Sequence, residues 1–200
     1  MISIPLCSHV PPFFLKISSL PLKAHLCSKM SNLPPPRLVI ASNTSTGQST
    51  ISSERTLTPY HPFGPQATGF TTLFSTSSFP PSNIAPPLSS STTSIPRPGD
   101  NGTVFCTSDV PPNTTSAFHR TRTLDYMVVL KGEIVLRVDD GDEIKIGQGE
   151  MCVQRGNIHS WINKTDQWCR MLFVMLDSEP VTLEDGNVLE DAFFPHKPAS

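Results

Sequence analysis

Short runs of alternating apolar and polar residues fill the second half of the chain. The run EIVLRV, Glu133–Val138, places Ile134, Leu136 and Val138 on one side, which is the period-two pattern of a half-buried strand. Similar runs recur at intervals of roughly 8–12 residues, and turn residues separate them. The hairpin turn DDGD, which follows this run, offers Gly141 for the positive φ that such turns need. This spacing predicts an all-β sandwich or barrel.

The first half of the chain gives weaker signals. RLVIA, Arg37–Ala41, is the first strand-like run, and Thr68–Phe79 alternates loosely enough to add another strand. Residues 42–67 are polar and rich in turn residues. The prolines of Pro80–Gly102 exclude a helix and predict a long loop. Near the C-terminus, residues 184–194 predict one short helical turn.

Composition divides the chain into four segments. Proline accounts for 21 of the 200 residues and charged residues for only 16%, because the first half is rich in Ser, Thr and Pro. We therefore expect a disordered extension or targeting segment over 1–34 and an irregular arm with one or two strands over 35–97. The arm would pack on a barrel that covers 98–178, and a tail would follow over 179–200.

Charge and hydropathy exclude several classes of partner. The net charge of −2 gives no reason to expect nucleic acid or anionic lipid. No run of 18 apolar residues is present, so we expect no transmembrane helix and no membrane partner. The first thirty residues carry Lys but no acid, as transit peptides do, although prolines interrupt them and Arg is absent. We expect a cytoplasmic protein, with a targeting segment or a start at Met30 left open.

The cysteines indicate a reducing compartment. There are five, an odd number, and no CxxC spacing is present. Cys106, Cys152 and Cys169 lie in apolar or alternating stretches, so we expect small buried hydrophobes rather than disulfides. No phosphate-binding loop or nucleophile elbow appears either.

One stretch carries unusual polar residues. In AFHRTRTLDYMVVLKG the residues His119, Thr121, Thr123 and Asp125 are all odd-numbered, so an unbroken strand would place them on one wall. His159 begins a later strand, HSWIN. Ionisable groups inside a barrel are costly unless they are paired, hydrogen-bonded or bound to metal.

Two imidazoles and one carboxylate suit an open-sided metal site. His119, Asp125 and His159 would supply the ligands, and the remaining coordination positions would be free for substrate, water or dioxygen. The residues alone allow a second interpretation, in which a hydrogen-bonded His–Asp pair lies near the barrel mouth without metal.

The run RGNIHSWIN resembles the second sequence motif of the cupins. That motif has glycine, two residues, histidine, three residues and asparagine, and Gly156, His159 and Asn163 match it. Gln154 stands where the motif has proline.

HRTRTLDYMVVLKG resembles a degenerate first cupin motif. His119 matches its first histidine, and Thr121 stands where the second histidine should be. Asp125 stands at the glutamate position, and Gly132 follows after six residues as required.

The whole run from about residue 34 to residue 177 resembles a group of small fungal and bacterial cupins with an HRT-x-S/T-x-D-Y signature. Some fungal members are cupin-domain oxidoreductases of polyketide gene clusters, including clusters for salicylaldehyde-type products. The resemblance implies a double-stranded β-helix, a jelly-roll barrel, behind a Pro/Ser-rich irregular extension. It also implies a metal-dependent oxidoreductase that acts on a polyketide-derived molecule in secondary metabolite biosynthesis. Fe(II) suits the ligand set best, while Zn, Mn and Ni stay open.

Two other functions stay open at this point. The same site could serve a redox-neutral decarboxylase, cyclase or isomerase, in which the metal acts as a Lewis acid. The chain could also be a non-catalytic accessory or binding protein, and Thr121 in place of histidine favours that reading.

The predicted substrate is a small hydrophobic or aromatic molecule. Its pocket would include Thr121, Met127, Gln154, Trp161 and Phe173. Cupins often dimerise by exchanging N-terminal strands, so the resemblance also implies a possible homodimer, with RLVIA as the exchanged strand.

Overall fold

The computed structural model of the protein describes residues 31–84 and 94–194. These ranges contain strands and turns and no helix, and hence no helix that could cross a membrane. The predicted extension over 1–34 and the end of the tail lie largely outside the described residues. The strands are, in chain order, β1 Arg37–Asn43, β2 Ser49–Thr56, β3 Gly69–Thr76, β4 Thr103–Val110, β5 Thr114–Thr115, β6 Phe118–Arg120, β7 Thr123–Lys131, β8 Glu133–Val138, β9 Glu143–Gly147, β10 Met151–Arg155, β11 His159–Asn163, β12 Cys169–Asp177, β13 Val181–Thr182, β14 Val188–Leu189 and β15 Ala192–Phe194.

Two antiparallel sheets form the barrel. One has the strand order β10-β7-β12-β4-β3, and the other has the order β15-β6-β11-β8-β9, with β5 paired to β11. The two sheets face each other, since Trp161 of β11 and Phe173 of β12 meet with ring centroids 6.1 Å apart. This is the all-β jelly-roll that the alternation and the motifs predict.

The core lies where apolar positions of both sheets converge. Val129 and Ile134 are almost fully buried, and Cys169 and Met171 from the central strand β12 pack with them. Cys106 and Cys169 are free, buried thiols, as the sequence predicts. Burial raises the pKa of each to about 12, so both stay protonated and behave as small hydrophobes.

Two glycines fix the turns that bracket β8. Gly141 has a φ of 99° in the hairpin between β8 and β9, as predicted. Gly132 has a φ of 82° between β7 and β8, and a Cβ there would come within 3.2 Å of the Trp168 carbonyl oxygen. Both the backbone conformation and this close approach require glycine.

One local prediction is wrong: residues 184–194 contain β14 and β15 rather than a helical turn. The polar residues 42–67 contain a further strand, β2, which pairs with β1 in a separate hairpin. Most of β2 is exposed on both faces, so it carries no apolar period. β15 forms because it pairs with the free edge of β6. A local sequence pattern does not show such a pairing.

A buried ion pair joins the barrel to the segment before β1. Arg170 of β12 faces Asp109 of β4, with Nε and Nη2 each donating to one carboxylate oxygen at 2.6 Å. Its remaining nitrogen, Nη1, donates to the Pro34 carbonyl oxygen at 2.7 Å. The side chains are only 10% and 2% exposed, so each charge depends on the other.

Removing one partner of this ion pair should destabilise the fold strongly. We expect Asp109→Asn to lower the free energy of unfolding by about 3 kcal/mol, because Arg170 is left buried without a counter-charge. Urea denaturation measures this. The matched control is Glu54→Gln, which breaks the exposed pair Arg37–Glu54 and should cost about 1 kcal/mol or less. Equal losses in the two variants would contradict the assignment.

Candidate functional site

The chain crosses from one sheet to the other between His119 and Asp125. The expectation of one unbroken strand is wrong: β6 ends at Arg120 in the six-stranded sheet, and β7 begins at Thr123 in the five-stranded sheet. The crossing places His119 and Asp125 on different sheets, although both still line the same cavity.

Hydrogen bonds to Arg122 hold this crossing in place. The Arg122 backbone N–H donates to the Asp191 carboxylate at 2.6 Å, and its guanidinium donates to Asp100 and Asp177 at 3.2 and 3.3 Å. Within the crossing, the Thr123 hydroxyl donates to the Thr121 hydroxyl at 3.0 Å. Residues from three other parts of the chain therefore fix the point where β6 ends and β7 begins.

The cavity between the sheets has a volume of about 420 Å³. Its wall is predominantly apolar, and this is the kind of surface that binds small organic molecules. The apolar side chains of the wall are Phe63, Phe70, Ile95, Trp161, Met171, Phe173, Met175 and Phe193. Four of its polar side chains lie in two rows, one row on each sheet, and other polar residues such as Arg97, Ser108 and Thr121 also line it.

The row on the six-stranded sheet is a histidine pair. His119 lies opposite His159 in the β6–β11 register, and their ring centroids are 4.3 Å apart. Nδ1 of His119 lies 2.9 Å from the Ala117 carbonyl oxygen, and Nδ1 of His159 lies 3.1 Å from that of Asn157. Because a carbonyl oxygen accepts, both Nδ1 atoms carry the proton, and both Nε2 atoms keep a free lone pair.

Both imidazoles are neutral near pH 7. Burial, helped by the neighbouring His119 and Arg97, lowers the pKa of His159 to about 3, against the raising effect of the hydrogen bond to Asn157. Burial also lowers the pKa of His119. The pair therefore presents two uncharged nitrogen acceptors to the cavity.

The row on the five-stranded sheet is Gln154 and Asp125, which lie opposite each other in the β10–β7 register. They are 3% and 4% exposed. Burial raises the pKa of Asp125 from 3.8 to about 6, against the lowering effect of the Thr123 hydroxyl and the Arg97 charge. A carboxyl group with this pKa can take up or release a proton near neutral pH.

The two histidines have the arrangement expected for binding a divalent transition metal, whereas the predicted set of three ligands does not form a close group. Two Nε2 lone pairs on adjacent rings, each with Nδ1 fixed by a carbonyl, are the arrangement that metal-binding histidines adopt. Within residues 31–84 and 94–194, however, no three His, Cys, Asp or Glu side chains group closely enough to hold a metal ion. Asp125 lines the same cavity without completing such a group, so His119, Asp125 and His159 as a three-ligand centre stay a prediction.

Of the predicted pocket residues, Thr121, Gln154, Trp161 and Phe173 line the cavity. Met127 does not appear in the wall. It is 2% exposed and belongs to the hydrophobic core.

Sequence reasoning misses Arg97, Phe193 and Cys106 as cavity residues. Arg97 lies between two prolines in a segment without strand periodicity, so no pattern points it at the cavity. Phe193 reaches the wall because β15 pairs with β6 and sets Phe193 opposite His119. Cys106 was expected to be buried, and its place in β4 directs it to the inside of the barrel.

Comparison with known proteins shows what the barrel segment is similar to. The cupin domain family matches residues 107–175. Phomopsin biosynthesis cluster protein C' of Diaporthe leptostromiformis is 43% identical over 96 residues, which are 48% of this chain and 49% of that protein. Cupin-domain-containing oxidoreductase virC of Hypocrea virens is 38% identical over 93 residues, 45% of this chain and 48% of that protein. A solved structure, the polyketide cyclase RemF of Streptomyces resistomycificus, is 22% identical with a TM-score of 0.40, and the match covers 60% of this chain and 74% of that chain.

Residues 107–175 match the cupin domain family, and strands within this segment supply both polar rows of the cavity. Over that domain the chain is similar to fungal cupin-domain-containing oxidoreductases and to proteins of fungal biosynthetic clusters. The chain spans about half the length of the curated relatives that it matches.

The buried carboxyl group predicts a pH-dependent stability difference. The folded state binds the Asp125 proton more tightly than the unfolded state does, so this group lowers stability as the pH rises from about 4 to about 6. In chelator-treated protein, Asp125→Asn should therefore gain about 1–3 kcal/mol over the wild type above pH 6. The gain should vanish below about pH 4.

Urea denaturation across this pH range measures the gain. Asp166→Asn, a change at an exposed carboxylate outside the cavity wall, is the matched control for removal of one carboxylate. A gain for Asp125→Asn that does not change with pH would contradict the assignment.

Proposed function

We propose that the protein is a cupin enzyme of secondary metabolite biosynthesis, an oxidoreductase that acts on a polyketide-derived small molecule. The observation that carries the proposal is the cavity, in which two neutral histidines and a buried carboxyl group face an apolar chamber. The names of the relatives supply the reaction class, since several are cupin-domain-containing oxidoreductases.

The walls support a hydrophobic or aromatic substrate. Trp161 stands edge-on to both His159 and Phe173, with centroid distances of 5.5 and 6.1 Å. An aromatic molecule that packs against these rings would bring its polar substituents to the histidine pair on one side and to Asp125 on the other. The apolar wall also reduces the access of bulk water to both rows.

The residues of the chain would divide the chemistry between them. His119 and His159 would hold a divalent metal ion through Nε2, and the ion would supply redox or Lewis-acid chemistry. Asp125 would transfer a proton to or from the substrate, because its pKa of about 6 lies near neutral pH. The Nδ1 contacts to Ala117 and Asn157 would keep both rings oriented while this occurs.

A redox-neutral reaction is the second candidate function. The raised pKa of Asp125 favours it, because decarboxylases, cyclases and isomerases need a proton donor or acceptor of this strength. The same apolar cavity would serve such a reaction, and only the change in oxidation state would differ.

Deletion of the gene in its native host tests the reaction class. We expect a compound to accumulate that differs from the pathway product by two hydrogen atoms or one oxygen atom, as mass spectrometry would show. An isomer of the product, or a compound that differs by carbon dioxide, would favour the redox-neutral reaction. Complementation with His159→Ala should fail, and full restoration of the product would indicate a non-catalytic accessory protein.

Metal binding should depend on the histidine pair. We expect the full-length protein, loaded anaerobically with Fe(II), to retain about one equivalent of metal, and His159→Ala to lose it. His61→Ala is the matched control, since His61 lies outside the cavity wall and should leave the metal content unchanged. Metal analysis of Asp125→Ala then decides whether Asp125 is the third ligand. Equal metal content in the wild type and His159→Ala would contradict the metal site.

A further inference from the structure

Two buried side chains at the floor of the cavity have unused hydrogen-bonding capacity. Asp125 Oδ1 and both Gln154 atoms, Nε2 and Oε1, have no hydrogen-bond partner among the described residues. Both residues are more than nine-tenths buried, and both line the cavity. Buried polar groups are rarely left unpaired, since each unmade bond costs stability.

These atoms form one patch because of the sheet register. Gln154 and Asp125 are direct cross-strand neighbours, and such pairs have Cβ atoms roughly 4.5–5.5 Å apart on the same face. Met175 flanks Asp125 on the other side, in the β7–β12 register, and offers no hydrogen bond. The patch is therefore a short polar strip with apolar surface beside it.

We infer that this strip, the Gln154–Asp125 strip, recognises a dihydroxyaryl edge of the ligand. Two hydroxyl protons would be donated to Asp125 Oδ1 and Gln154 Oε1, and a hydroxyl oxygen would accept from Gln154 Nε2. Two hydroxyls meta to each other on one ring supply this set of two donors and an acceptor. The inference rests on the proposed function for the existence of a small-molecule ligand, and it names the substituents that this ligand carries.

The apolar surroundings explain why the hydroxyls would decide specificity. A ligand whose hydroxyls are methylated fits the same walls but leaves the Asp125 and Gln154 oxygens unpaired, and sites built on hydrogen bonds reject such analogues strongly. Gln154 is the informative residue of the strip, because it lies outside the predicted metal ligands.

Binding of three matched probes to the full-length protein tests the inference. The probes are a dihydroxynaphthalene with its hydroxyls meta to each other, its monomethyl ether and its dimethyl ether. The meta arrangement does not chelate metal, and EDTA is present throughout. We expect the dissociation constant, measured by calorimetry near pH 7, to rise at least about tenfold with each methylation.

Gln154→Leu separates hydrogen bonding from shape. We expect this variant to bind the dihydroxy probe at least about tenfold more weakly and the dimethyl ether no more weakly than the wild type does. Its melting temperature should not fall, because an unpaired buried amide is replaced by an apolar group of similar size. Gln148→Leu, at an exposed glutamine outside the cavity, should keep the wild-type order of affinities.

Three outcomes would overturn the inference: equal affinity of the wild type for the three probes, unchanged discrimination in Gln154→Leu, or no binding of the dihydroxy probe. Equal affinities would show that the cavity binds aromatic molecules without distinguishing their hydroxyl groups. The proposed enzymatic function would still stand. Failure of the proposed enzyme is seen separately, as an unchanged product profile after gene deletion.

Discussion

The crossing of the chain at Thr121 and Arg122 determines where the polar groups of the cavity lie. It takes the chain from the six-stranded to the five-stranded sheet, so that His119 and Asp125, close in sequence, lie on different sheets. Contacts to Asp100, Asp177 and Asp191 hold it from outside the barrel. The histidine pair and the Gln154–Asp125 strip are consequences of this one change of sheet.

The groups that stabilise the fold and the groups that could bind a ligand lie in different parts of the molecule. The side chains of the apolar core pack against one another, and each charge of the buried Asp109–Arg170 ion pair is neutralised by the other. The cavity, by contrast, holds a carboxyl group with a raised pKa, two imidazoles with free Nε2 atoms and an amide without partners. Buried groups of this kind lower the stability of the fold, and they offer a ligand atoms with which it can form hydrogen bonds.

The strands were predictable where a strand has one apolar face. β8, β11 and β12 alternate or carry continuous apolar residues, and the motif around His159 places it on β11 inside the barrel. The sheet change was not predictable, because Thr121–Thr123 has the same extended, alternating pattern as its flanks. Arg97, between two prolines, and β2, exposed on both faces, carry no period at all. Met127 lies on the inward face that the alternation predicts. Alternation does not show how far along the barrel a residue lies, and so it does not separate core from cavity wall.

The cavity is built from two parts of different origin in the chain. Both polar rows and the inner aromatic residues come from the matched segment 107–175, whereas Phe63, Phe70, Arg97 and Phe193 come from before and after it. The histidine pair and the Gln154–Asp125 strip therefore belong to one stretch of sequence, and part of the cavity wall belongs to others. Because the Arg97 charge also lowers the pKa of Asp125 and His159, exchange of the flanking stretches would change both the shape of the cavity and the proton affinity of its inner groups.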